Sequence, residues 1–162
     1  MTERPKDPIS LRERLLTRLL HQYFAWSRAM TLGVRAACFD AEGRIFLVRH
    51  SYVAGWHMPG GGVERGETAF MAMEKEIREE GNLRLGAAPE LFAVYFNTRG
   101  SKRDHVLLYI CRGVTQTAPR APDREIIESG FFALDTLPDT TTPATRRRLS
   151  ELGGQRAPEA YW

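Results

Sequence analysis

Residues 61–83 read GGVERGETAFMAMEKEIREEGNL: a glycine-rich turn, an acidic loop, then a helix carrying Glu76, Glu79 and Glu80. Carboxylates at i, i+3 and i+4 converge on one strip of helix surface, where like charges repel. A hard divalent cation against that strip relieves the repulsion, because Mg2+ takes carboxylate oxygens and commonly arrives with substrate phosphates. The stretch predicts a metal-dependent site for phosphate chemistry.

A helical wheel places Phe70, Met73 and Ile77 on one stripe, the expected core face. Glu76 and Glu80 border that stripe, Glu79 lies a little further round, and Glu74 and Arg78 occupy the far side. The carboxylates are thus expected at the margin between core and solvent, where a cleft would run. Glu74 with Arg78 and Lys75 with Glu79 also have the spacing of ion pairs on a plain solvated face. The glycine run 60–62 just upstream tips the balance toward a site. It is not a P-loop, since Gly66 is followed by Glu67 and Thr68 where a Lys-Ser/Thr ending is required.

The stretch resembles the Nudix box, G-x5-E-x7-R-E-U-x-E-E-x-G-U with U a bulky aliphatic. Gly61, Glu67, Glu76, Ile77, Glu79, Glu80 and Leu83 fill its places, while Lys75 stands for Arg and Asn82 for Gly. The approach Trp56-His57-Met58-Pro59-Gly60 resembles the family's W-x-x-P-G-G, and Glu125-Ile126-Ile127-Glu128-Ser129-Gly130-Phe131-Phe132 resembles its E-I-x-E-x-x-W-F segment. With flanking strands the resemblance covers roughly Thr31 to Leu137. Asn82 tolerates the left-handed backbone of a helix end. Lys75 offers a point charge where Arg offers a planar fork for a glutamate, so reduced activity is expected.

The resemblance implies an α/β fold, a Nudix-type α/β/α sandwich with a mixed sheet, here with an extra N-terminal helix. It implies Mg2+, with Mn2+ as a substitute, held by Glu76, Glu79, Glu80 and a carbonyl near Gly60. Glu67 would organise the loop, and Glu125 would be a ligand or general base, with Asp123 its nearest rival. The implied activity is hydrolysis of a phosphoanhydride in a nucleoside diphosphate linked to another moiety, with Glu80 or Glu125 taking the proton of a water. Arg35 is a candidate for phosphate, and Tyr52, Trp56 and Tyr95 for stacking on a base. The alternative is a non-hydrolytic Nudix-fold module that senses nucleotides or binds a protein.

Length and composition agree with one enzyme-sized domain: the chain has 162 residues and a net charge of +3, within the one-domain range. That charge is too small to argue for nucleic-acid binding, though a modestly basic surface suits polyphosphates. Cys38 and Cys111 sit in apolar strand patterns without a C-x-x-C, and read as free buried thiols of a reducing, cytoplasmic setting. No apolar run is long enough to span a membrane.

Residues 1–9 form a polar, proline-containing tail. Ser10 offers an N-cap for an amphipathic helix over residues 10–28, whose Leu11, Leu15, Leu16, Leu19, Leu20, Tyr23 and Phe24 suit docking or a homodimer. Its Arg12, Glu13, Arg14 and Arg18 make it a poor signal peptide. The Nudix-like domain is expected over residues 29–155, with 156–162 a C-terminal tail. Strands are predicted over Thr31 to Phe39, Arg44 to His50, Leu91 to Asn97, Asp104 to Arg112 and Phe131 to Leu134. Pro143 opens a last helix to about Leu152, on which Arg146, Arg147 and Arg148 read as a solvated face.

Overall fold

The structure is a computed structural model that describes residues 11–99 and 101–162. The expectations for residues 1–9 and for Ser10 as N-cap lie outside the described residues. The chain divides into two units, Met1–Met30 and Thr31–Trp162. In the first, α1 (Leu11–Ser27) keeps the expected helix. Leu15, Leu16, Leu19, Leu20, Tyr23 and Phe24 are exposed on it, and the Arg28 guanidinium lies 4.2 Å above the Phe24 ring.

The second unit is built on strands β1 (Thr31–Phe39), β2 (Ile45–His50), β3 (Trp56–His57), β5 (Glu90–Phe96), β6 (Asp104–Arg112) and β8 (Ile126–Phe132). β1 runs parallel to β6, from Thr31 opposite Asp104 to Phe39 opposite Arg112. The other pairings, β1 with β2, β5 with β6, and both β3 and β8 with β2, are antiparallel, so the sheet is mixed. β4 (Leu83–Arg84) and β7 (Thr115–Gln116) pair separately.

Strand alternation sorts the core into two layers. Val34, Ala36, Cys38, Phe46 and Val48 pack with Ala72, Met73 and Ile77 of α2 (Ala69–Gly81). Ala37, Phe39, Ile45 and Leu47 pack on the other face with Leu149 of α3 (Pro143–Leu152). Covering both faces explains why β1 and β2 read as nearly continuous apolar runs. Cys38 and Cys111 are free, buried and register partners across β1 and β6.

α2 begins at Thr68, whose hydroxyl accepts from the Met71 N–H. It ends at Asn82, left-handed at φ 53°, whose N–H bonds to the carbonyls of Arg78 and Ile77. Its orientation corrects the wheel. Phe70 is 42% exposed, whereas Glu80 is only 6% exposed. Met73 and Ile77 are buried as expected, and the stripe extends to Ala72 and Glu80 in place of Phe70. The pairs suited to a solvated face do not form: Lys75 Nζ lies 3.3 Å from Glu67, and Arg78 Nη2 3.5 Å from Glu79.

Two further expectations are corrected, on β8 and on Arg148. β8 begins at Ile126 instead of Phe131, because it pairs along the whole of β2, which outweighs the weak strand character of Glu128-Ser129-Gly130. Residues 160–162 are docked: Phe96 N–H bonds to Ala160 O at 2.9 Å, and Trp162 N–H to Phe96 O at 3.1 Å. Arg148 is fully buried instead of solvated. Its charge is tolerated because Nη2 meets Glu151 at 2.7 Å and Nη1 the Tyr161 carbonyl at 2.8 Å.

Candidate active site

The glycine run binds the box helix to the central strand. Gly60 donates its N–H to Glu80 Oε2 at 2.9 Å, while the carbonyls on either side, of Pro59 and Gly61, accept from Ala36 and Val34 of β1. A side chain at Gly60 would strike backbone, and one at Gly61 would displace the end of Glu76. A Cβ on Gly60, at φ +147°, would stand 2.1 Å from the Val34 carbonyl, and one on Gly61 2.3 Å from Glu76 Oε1. The loop lies this close to the strand and to Glu76 because Cβ is missing.

Glu80 meets a residue of β2 and one of the loop before β8. One ligand atom from each of His50, Glu80 and Glu125 lies within 4.8 Å of the other two. Glu125 is held from below by the Ser51 N–H bonding to its carbonyl at 2.9 Å, and its side chain accepts from Tyr52 O–H at 3.3 Å. Glu76 is half-buried against Gly61, and Glu79 is exposed. Asp123 serves the loop instead: its Oδ1 accepts from the N–H groups of Glu125 and Ile126 at 2.8 Å each, and Arg120 pairs with Oδ2. Those bonds hold it down at about 2.

Burial dominates the electrostatics of the cluster. Burial raises the Glu80 pKa to about 7, with Glu76 and Glu125 adding to the rise and the Gly60 N–H and Arg35 opposing it. Burial also raises Glu76, opposed by Lys75 and Arg35. Burial first, then Arg35 and His57, lowers His50 to about 4. His50 is therefore neutral near pH 7, and its Nε2 at 3.5 Å from Glu80 Oε1 is not an ion pair. Converging carboxylates, one of them buried, beside an imidazole whose two nitrogens lack hydrogen bonds are a donor set that fits a divalent cation.

Around this cluster, Glu67 accepts from the Glu64 N–H at 3.0 Å and from Lys75, tying the loop to the helix. Arg35, Tyr52 and glycines 60–62 line a cleft of about 350 Å³. Arg35 donates Nη1 to the Met58 carbonyl at 2.8 Å, and Tyr52 is exposed. Trp56 and Tyr95, expected to stack on a base, are corrected. Trp56 is buried edge-on against Phe132, with ring centroids 4.9 Å apart. Tyr95 is fully buried and donates to Glu151 at 2.7 Å. Neither ring has a face free for a ligand, because both complete the core beneath α3. His50 was not among the expected site residues, although the alternation Phe46, Val48, His50 on β2 carries it to the α2 face.

The NUDIX domain family model matches residues 30–152. A MutT NUDIX hydrolase from Burkholderia pseudomallei superimposes with a TM-score of 0.64 at 28% identity, over 75% of this chain and 97% of that one. An ADP-ribose pyrophosphatase from Streptococcus suis gives 0.55 at 25% identity, over 80% and 94%. A UDP-X diphosphatase gives 0.55 at 24% identity, over 90% and 80%, a likeness of fold. No curated protein sequence matched the chain. With the family model covering most of the chain and the box helix, glycine loop and mixed sheet in place, the chain belongs to the NUDIX family, among its MutT-like hydrolases.

Proposed function

We propose that this enzyme hydrolyses a phosphoanhydride bond in a nucleoside diphosphate linked to another moiety, with Mg2+ as its cofactor and Mn2+ as a substitute. The observation that carries the reading is Glu80, buried against Gly60 with a ligand atom within 4.8 Å of one from Glu125, next to a cleft that Gly60, Arg35 and Tyr52 line. A structural relative named as an ADP-ribose pyrophosphatase supports a diphosphate conjugate as the substrate class.

Glu76, Glu79, Glu80 and the Gly60 carbonyl would hold the metal. When bound, such a cation neutralises the diphosphate and lowers the pKa of a bound water. Arg35 binds phosphate oxygens and keeps the diphosphate against the glycine run. Tyr52 stacks on the base with its exposed ring. Glu80 or Glu125 takes the proton of the attacking water. Lys75, through Glu67, positions the loop that precedes α2.

The non-hydrolytic alternative rested on Lys75. Its ammonium reaches Glu67, which supports the enzyme reading. Buried free thiols agree with a cytoplasmic setting, and no described helix is long and apolar enough to cross a membrane. The test is a panel of nucleoside diphosphate conjugates and nucleoside triphosphates with Mg2+, with and without chelator, scored for release of nucleoside monophosphate or phosphate. Mg2+-dependent turnover of conjugates above triphosphates is expected; turnover of triphosphates alone would remove the proposed substrate class.

A further inference from the structure

β2 brings to the carboxylates a residue that the box does not contain. His50 is 4% exposed, and neither ring nitrogen has a hydrogen-bond partner. Buried polar atoms are normally satisfied, and Glu80 Oε1 at 3.5 Å from Nε2 is too far to do so as a hydrogen bond. The side chain points at the one place where Glu80 and Glu125 also offer ligand atoms, all within 4.8 Å of one another. Metal–ligand bonds of roughly 2.0–2.2 Å set donors around one ion about 3–4 Å apart, so small side-chain shifts close this set.

We propose that His50, Glu80 and Glu125 form a metal position with mixed nitrogen and oxygen donors, which takes a divalent transition ion such as Mn2+ in preference to Mg2+. The inference rests on Glu80 being a metal ligand, as in the function proposed above; the imidazole is the addition. Neutral imidazole suits first-row transition ions, whereas Mg2+ favours an all-oxygen donor set. Tyr52 backs the position from outside: its ring centroid lies 5.1 Å from that of His50, and its hydroxyl holds Glu125. Such supporting bonds orient ligands and strengthen binding.

The experiment loads the full-length protein with Mn2+, examines it by pulsed EPR for nitrogen hyperfine coupling, and titrates Mn2+ in competition with Mg2+. Wild type is compared with His50→Leu and with His57→Gln, whose imidazole lies 5.9 Å from His50 and already meets the Ala54 carbonyl at 3.1 Å. Nitrogen coupling is expected in wild type and His57→Gln and is lost in His50→Leu. Mn2+ affinity in His50→Leu should fall by on the order of tenfold or more, with Mg2+ affinity changed by no more than about twofold. Bound Mn2+ without nitrogen coupling in wild type, or coupling that survives His50→Leu, overturns the mixed site and leaves the carboxylate reading intact. No Mn2+ or Mg2+ binding in wild type overturns both. Should His50→Leu fail to fold, the wild-type and His57→Gln spectra decide: nitrogen coupling in both supports the site, and its absence from either overturns it.

Discussion

The Gly60 N–H donates to Glu80 Oε2 at 2.9 Å, joining the glycine run to the box helix 20 residues later. That bond offsets only part of what burial costs the carboxylate, and the pKa near 7 is the result. Stability should carry the signature. The folded state keeps the Glu80 proton where the unfolded chain, at about 4.5, has lost it, so this group lowers stability as pH rises from about 4.5 to 7. His50 acts in the opposite sense: its folded value near 4 lies below the ordinary 6.5, so its contribution is lost as pH falls through that interval.

Glu80→Gln therefore removes one of two opposing slopes. In chelator, the stability of Glu80→Gln relative to wild type is expected to increase as pH rises from 4.5 to 7, by at most a few kcal/mol. Chemical denaturation at several pH values measures it. A difference that does not change with pH would return Glu80 to an ordinary solvated carboxylate. Adding Mg2+ should stabilise wild type more than the variant, since the ion binds only the folded state.

Neighbouring glycines are expected to respond differently to the same methyl group. Gly60→Ala drives Cβ into the Val34 backbone carbonyl at a positive φ; backbone cannot yield, and a loss of about 3 kcal/mol or more is expected. Gly61→Ala meets only the tip of Glu76, which can swing aside. Thermal stability should change little, while Mg2+ affinity falls by about tenfold. Equal losses of stability in the two variants would show that Glu76 is not held against Gly61.

How far the sequence carried follows from which forces were local. The box helix, its Asn82 end and the long strands came from periodicity and capping, which nearest neighbours decide. That Phe70 is exposed and Glu80 buried on α2 depends on packing against the sheet, which no wheel contains. Trp56 and Tyr95 were misread for the same reason: an aromatic suited to stacking is equally suited to a core. Arg148 looked solvated because its partners Glu151 and the Tyr161 carbonyl depend on the docked C-terminus. His50 could have been found, since it continues the alternation of Phe46 and Val48 on β2.

Lys75 stands where the box pattern has Arg, and its partner is Glu67 at 3.3 Å. The pair is partly exposed, so Lys75→Ala should leave stability nearly unchanged. Turnover should nonetheless drop by about tenfold as the loop before α2 loses its tie. Lys75→Arg, with a fork for Glu67, should match or exceed wild type. If Lys75→Ala turns over as fast as wild type, Lys75 has no positioning role.

The carboxylates themselves give the most direct measurement: steady-state hydrolysis of a nucleoside diphosphate conjugate by wild type and Glu80→Gln, with and without Mg2+. Wild type should require Mg2+, and Glu80→Gln should lose on the order of a hundredfold in kcat while remaining folded. Hydrolysis by Glu80→Gln at the wild-type rate, or by wild type in chelator as fast as in Mg2+, would contradict a metal-dependent site built on this helix.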